Sequence, residues 1–226
     1  GQKPELAIKC IASWRKYLPD YEIKEWNEGN FNLDSYPYVR EAYDNHKFAF
    51  VTDVVRLYAL YVEGGIYMDT DVEVLKPLDS LLVYDAVSGF ESETQIPTGL
   101  MASQKSHPFI KELLDEYKEI HFIKSNGSFD TTTNVVRITN NCLKYGLKLN
   151  NTLQTVRGLT LLPNDYLCPK SVVDGKIHLT KNSLTIHHFA GSWQSPMRRY
   201  GRKMVLQLGG DNLKQFIKVL LKPFLK

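Results

Sequence analysis

Residues 48–74 read FAFVTDVVRLYALYVEGGIYMDTDVEV, and local rules divide this stretch into three parts. Val51, Val54, Val55, Tyr58, Tyr61 and Val62 recur at helical spacing, which predicts a helix from Phe48 to Glu63. Gly64-Gly65 closes it, because glycine readily takes the left-handed conformation that ends helices. Ile66-Tyr67-Met68 is short, apolar and followed at once by acids, so it reads as a buried strand ending at Asp69. Val72 and Val74 then resume an apolar alternation. A helix that feeds a buried strand with acids at its carboxyl end belongs to the α/β class.

The flanks extend the same pattern. Leu6, Cys10, Ile11, Trp14 and Leu18 predict an opening helix after Pro4, broken at Pro19-Asp20. Tyr21–Trp26 alternates like a strand, and Tyr38 to His46 is a short helical stretch. Asp85–Glu91 and Thr98–Ala102 are predicted strands, and Pro108–Ile120 and Thr131–Tyr145 are amphipathic helices. Leu159–Leu162 and Leu184–Phe189 are strand-like. Alternation of this kind predicts an α/β/α sandwich with a mostly parallel central sheet. Ligands of such sheets sit at the carboxyl ends of strands, where Asp69 and Asp71 fall.

Composition excludes several classes. The 226 residues are 43% hydrophobic and include 13 tyrosines, 10 phenylalanines and 3 tryptophans, enough for a packed core. No apolar run approaches the roughly eighteen residues of a membrane span. No charged-then-apolar leader opens the chain. Cys10, Cys142 and Cys168 are far apart and odd in number, which argues against a disulfide framework and fits a reducing cytoplasm. The net charge of +3 is unevenly spread: residues 195–226 hold eight basic residues against Asp211 alone, a net +7, leaving −4 on residues 1–194. Residues 1–194 are read as one catalytic-type domain, and 195–226 as a basic amphipathic helical tail suited to an anionic surface.

Three groups carry chemistry. Asp69 and Asp71 are two apart, so in an extended segment their carboxylates share a side and can face one divalent cation, manganese or magnesium. An isolated DxD is more often a charged turn; here it follows a buried strand with no turn glycine. Glu73 reads as a solvated strand residue. Asp53 and Arg56 are neighbours on one face of an enclosed helix, where charges call for a polar ligand. His187-His188-Phe189-Ala190-Gly191-Ser192-Trp193 ends a strand and offers an imidazole to a manganese-type ion.

The run Thr52-Asp53-x-x-Arg56-x-x-x-Leu60-x-x-x-Gly64-Gly65-x-Tyr67-x-Asp69-x-Asp71 resembles the signature of glycosyltransferase family 32, the capsular-polysaccharide and Och1-like sugar transferases. It is also similar to the core of the large glucosylating bacterial toxins. Glu25-Trp26-Asn27-Glu28 and His188-x-x-Gly191-Ser192-Trp193 extend the resemblance from residue 5 to about 195. The resemblance implies a GT-A, Rossmann-like fold, a nucleotide-sugar donor such as UDP-galactose, UDP-glucose or an N-acetyl form, a divalent metal and retention of anomeric configuration. Asp69, Asp71 and His188 would hold the metal. Asp53, Arg56, Tyr67, Asp69, Ser192, Trp193 and Asn27 would bind the donor, and Asp53, Arg56, Asp69 and Asp71 would form the catalytic set. Family members usually open with an apolar strand ahead of the first helix, whereas Gly1-Gln2-Lys3-Pro4 stands practically in that helix.

The function expected from this reading is hexosyl transfer to a saccharide or lipid-linked oligosaccharide acceptor in surface-polysaccharide synthesis. It would proceed in the cytoplasm or at the inner face of the plasma membrane, with no nucleic-acid partner. The alternatives are a catalytically weak carbohydrate-binding or scaffold protein on a transferase fold, and a nucleotidyltransferase or phosphohydrolase. The last is disfavoured because no Walker-type glycine loop is present.

Overall fold

The computed structural model describes residues 2–96, 99–172 and 174–191. Helix α1 spans Glu5–Tyr17, α2 Pro37–Asp44 and α3 Phe48–Val62, followed by strands β1 (Gly65–Met68), β2 (Val72–Val74), β3 (Ala86–Gly89) and β4 (Leu100–Ser103). Then come α4 (Pro108–Asp115), α5 (Asn134–Lys144), β5 (Gln154–Val156), β6 (Leu159–Leu162), α6 (Asn164–Leu167) and β7 (Thr185–His187). The predicted helix over 48–63 and strand over 66–68 form as read. Gly64 and Gly65 both take positive φ, 76° and 90°, between them. A Cβ at Gly64 would also lie 2.7 Å from the Lys105 backbone nitrogen, so the turn is closed to other residues.

Five strands form one sheet in the order β1-β4-β3-β6-β5, and β2 pairs with β7 in a separate ribbon. Two apolar layers flank the large sheet. On one face Phe50, Val54 and Leu57 of α3, Val39 of α2, Ile110 and Leu113 of α4 and Ile138 of α5 meet Ala86, Met101 and Leu161. On the other, Trp14 and Leu18 join Val72, Val74, Val87, Leu100, Ala102 and Leu162. The period of two in β4, with Leu100 and Ala102 on one side and Met101 on the other, is what serves both layers. Each fully buried valine, leucine, isoleucine, phenylalanine or methionine among them contributes about 1.5–3 kcal/mol.

The α/β layering holds, but the expectation of a mostly parallel sheet is corrected. Only β3 and β6 run parallel; β1–β4, β3–β4 and β5–β6 are antiparallel. The connections explain this. Among the described residues no helix lies between β3 and β4, and β5 and β6 are joined by Arg157 and Gly158, both at positive φ, as a two-residue hairpin requires. Only the β3–β6 pair has intervening helices, α4 and α5, long enough for a crossover. Residues 21–26 form no strand: they alternate, but among the described residues no neighbouring strand takes their hydrogen bonds. The strand expected over 184–189 is shortened to β7 and belongs to the ribbon, not the central sheet. The three cysteines are buried and unpaired. The basic tail lies outside the described residues.

Candidate active site

The acids stand where three elements meet. Tyr67 and Met68 end β1, and Asp69 follows, its N–H donating to the Gly99 carbonyl at 2.7 Å. Val72 N–H returns to Asp69 O at 3.0 Å, so Thr70-Asp71 is a turn that hands the chain from the large sheet to β2. From α3, Arg56 reaches Asp69 Oδ1 with Nη2 at 3.2 Å and Asp53 Oδ1 at 3.5 Å. Tyr67 donates its hydroxyl to the same Asp69 oxygen at 2.7 Å, and the guanidinium lies 4.8 Å from its ring centre.

This cluster is almost enclosed. Asp53 is 8% and Arg56 5% exposed, so their charges lack solvent screening and depend on one another. Burial pushes the Asp53 carboxyl up to about 6, against the pull of Arg56 and the Asn134 N–H. Burial also opposes the charge of Arg56, but the adjacent Asp69 above all keeps it protonated. Burial raises the Tyr67 hydroxyl well above its usual range, so it stays a donor to Asp69.

The β7 end supplies the other wall. His187 Nε2 lies 3.4 Å from Asp71 Oδ1, and the Ala190 N–H donates to Asp71 Oδ2 at 2.7 Å. Burial works to raise the Asp71 carboxyl, yet His187 and the Ala190 N–H outweigh it and hold it below the usual carboxylate range. His187 is driven the other way: burial disfavours its charge, and Asp71 more than compensates. Asp69, Asp71 and His187 each offer a ligand atom, and these atoms lie within 4.8 Å of one another. Two hard carboxylates and one imidazole are a donor set that suits manganese or magnesium, so these residues could hold a metal ion.

The predicted site residues are therefore gathered unequally. Asp53, Arg56, Tyr67, Asp69 and Asp71 come together. His188, expected beside the metal, instead places Nε2 2.7 Å from Glu73 Oε2, and His187 takes the position beside Asp71. The ribbon register accounts for the Glu73 contact, while Asp71 lies in the turn before β2 and is outside that alternation. Val72 pairs with His187 and Glu73 with Ile186, so His188 shares the Glu73 face and His187 the opposite one. Asn27 lies exposed in a turn, where its side chain accepts the Gly29 N–H at 2.8 Å; no contact among the described residues joins it to the acids. Ser192 and Trp193 lie outside the described residues. Asn134, at the start of α5, was not foreseen: its N–H donates to Asp53 Oδ2 and its Nδ2 to the Asp53 carbonyl, both at 3.1 Å. No local pattern marks it, since the contact spans 81 residues.

Residues 4–88 match a family described as the glycosyltransferase sugar-binding region containing a DXD motif. This part of the chain, from α1 through β3, is similar to that family, and Asp69-Thr70-Asp71 has the form of its DXD. Inositol phosphoceramide mannosyltransferase 3 of Schizosaccharomyces pombe is 36% identical over 115 residues, 49% of this chain and 32% of that protein. Mannosyl phosphorylinositol ceramide synthase SUR1 of Saccharomyces cerevisiae is 29% identical over 104 residues, 44% of this chain and 27% of its own length. The chain thus spans about a third or less of these relatives. Among solved structures, the PaToxG glycosyltransferase overlaps 51% of this chain and 54% of its own, with a TM-score of 0.40 and 20% identity.

Proposed function

We propose that this chain transfers a hexose from a nucleoside-diphosphate sugar to a saccharide or lipid-linked acceptor, with retention of configuration and with manganese at Asp69, Asp71 and His187. The observation that carries the reading is the meeting of that donor set with the buried Arg56 on one side of the β1 end. When bound, a divalent cation there offsets the negative charge that grows on the departing diphosphate. Arg56 adds a fixed positive charge beside the same position without reorganising, because Asp53 and Asp69 already hold it. Asp53 is assigned to sugar hydroxyls. Its two oxygens are engaged by Arg56 and Asn134, which suits a fixed acceptor of hydrogen bonds better than an attacking nucleophile. The acceptor would then attack from the face that the diphosphate leaves.

The relatives' names speak of mannosyl transfer and inositol phosphoceramide rather than capsule synthesis, so GDP-mannose stands beside the UDP-hexoses as a donor, and a polar lipid beside a saccharide as an acceptor. A thermal-shift panel of GDP-mannose, UDP-glucose, UDP-galactose and their N-acetyl forms with manganese tests the donor class. One of them should raise the melting temperature in a concentration-dependent way. No response to any of them counts against a sugar-nucleotide site.

Gly99 gives a sharper expectation for the metal. A Cβ there would lie 2.9 Å from His187 Cε1 and Nδ1, and that ring is already wedged against Asp71 and the Phe189 ring. Gly99→Ala should therefore push His187 off Asp71 and weaken manganese binding about tenfold or more. Overpacking of this kind costs about 1–3 kcal/mol of stability. Calorimetric titration of Mn²⁺ checks it; unchanged affinity would remove His187 from the donor set.

Among the described residues no helix is long and apolar enough to cross a membrane. The basic residues of 195–226 are proposed to bring the protein to the anionic inner face of the plasma membrane, at about 1 kcal/mol per basic residue near the surface. Full-length protein should co-sediment with phosphatidylserine vesicles at low salt and be released at high salt. Equal binding to neutral vesicles, or none lost on truncation after Gly210, contradicts this.

A further inference from the structure

Glu73 stands two residues beyond Asp71, and none of the roles assigned above uses it. Its Oε2 meets His188 Nε2 at 2.7 Å and Lys9 Nζ at 2.9 Å. Both Glu73 and His188 are mostly enclosed, with side chains 17% and 14% exposed, whereas Lys9 is 61% exposed and its pairing is screened by water. The stronger hold is therefore the one on His188. That residue is also fixed through its backbone: its N–H donates to Asp71 O at 3.0 Å, and its carbonyl accepts from Lys170 Nζ at 2.7 Å.

The segment so held is strained. Phe189 sits at φ +55°, a left-handed conformation that a bulky side chain rarely takes and that persists only where the surroundings over-determine it. The residues on either side of His188-Phe189 both meet the Asp71 carboxylate: His187 through its ring and Ala190 through its N–H. The β2–β7 ribbon has only three residue pairs, so its backbone bonds alone are a short anchor. Glu73 is diagonal to His188 across that ribbon, on one face, within reach of a long side chain.

We propose that Glu73 is a positioning residue: by holding His188 it keeps residues 187–190 in the turn that sets His187 and Ala190 on Asp71. The proposal rests on the reading that Asp69, Asp71 and His187 hold the cation. The β2 strand that carries Glu73 is itself pinned to α1, through Trp14 Nε1 donating to Val72 O at 2.7 Å and Val74 N–H donating to Ser13 Oγ at 2.9 Å. The N-terminal helix thus supports the turn from behind.

The test uses the full chain, Mn²⁺ alone as probe, and two readouts. Free Mn²⁺ by electron paramagnetic resonance gives the affinity, and the ring nitrogens of His187 and His188 are followed by NMR in metal-free protein. Glu73→Gln should weaken Mn²⁺ binding about tenfold, the scale seen when a group that orients a metal ligand is lost. It should also shift the His187 ring signals without any metal present. His188→Leu removes the same bond from the other side and should reproduce both effects. Lys9→Met should leave the affinity within about twofold, as expected of an exposed pair. Wild-type affinity with unshifted His187 signals in Glu73→Gln overturns the proposal, and so does a loss in Lys9→Met as large as in Glu73→Gln. If the wild type binds no Mn²⁺, the cation site itself is wrong, while the metal-free His187 signals still decide the role of Glu73.

Discussion

Replacing Asp71 with alanine is expected to lower manganese-dependent transfer by about a hundredfold or more, the scale of losing electrostatic stabilisation of a leaving group. Asp71 is tied to both elements that shape the site. Its Oδ1 faces His187, its Oδ2 takes the Ala190 N–H, and its own carbonyl accepts the His188 N–H. The side chain is held ionised by these partners, so the variant removes a charge that the folded state has prepared. It also leaves the Ala190 N–H without its acceptor, at about 1–3 kcal/mol where the group is buried. Asp71→Asn separates the two effects, since an amide oxygen can still accept from Ala190 but brings no charge to the cation. Both variants should be far less active, and the asparagine variant should melt close to the wild type. Near-normal turnover in Asp71→Asn would take the carboxylate out of the reaction.

Asp53→Asn should damage transfer as severely while costing little stability. The amide keeps the shape and an oxygen for the Asn134 N–H, and the Asn134 Nδ2 bond to the residue-53 carbonyl does not involve the side chain. What is lost is the negative charge that orients Arg56 and receives sugar hydroxyls, worth about a hundredfold in rate on the same scale. The stability effect follows from the direction of the Asp53 shift. Its carboxyl is raised from 3.8 to about 6 in the folded protein, first by burial. The folded state therefore holds more protons than the unfolded one between those values. Stability from this group is fully present below the unfolded value and is lost as pH rises through about 6. Melting temperatures measured from pH 4 to pH 8 should show a fall in the wild type, relative to the asparagine variant, across that window. A variant that melts far below the wild type at every pH, with normal turnover in the folded fraction, would make the Asp53–Arg56 pair structural.

Much of this site is legible locally. The helix of Asp53 and Arg56, the glycine pair and the strand before Asp69 are set by short-range periodicity and by turn chemistry, and both can be read along the chain. What escapes is whatever depends on pairing between distant segments. Strand direction depends on which strands meet, and the helix-free stretch between β3 and β4 was the available sign that they run antiparallel. The choice between His187 and His188 depends on the β2–β7 register, which sets His188 on Glu73, and on the turn at Thr70-Asp71, which takes Asp71 out of the strand alternation; no property of two adjacent histidines reveals either. Residues 21–26 alternate as a strand should, but Trp26 packs edge-on against Tyr58 of α3, ring centres 5.8 Å apart, and not in a ladder. Asn134 reaches Asp53 only because α5 docks its first turn beside α3.

The central claim is metal-dependent cleavage of a nucleoside-diphosphate sugar at Asp69, Asp71 and His187. Its most direct test is the release of nucleoside diphosphate from GDP-mannose and the UDP-hexoses by the purified chain, the glycosyl group passing to water in place of the acceptor, with Mn²⁺ and then with excess EDTA. Release from at least one donor is expected with Mn²⁺, with loss of release in EDTA and recovery when Mn²⁺ is restored. Release that continues undiminished in EDTA, or a donor that binds with Mn²⁺ but is never cleaved, would contradict it.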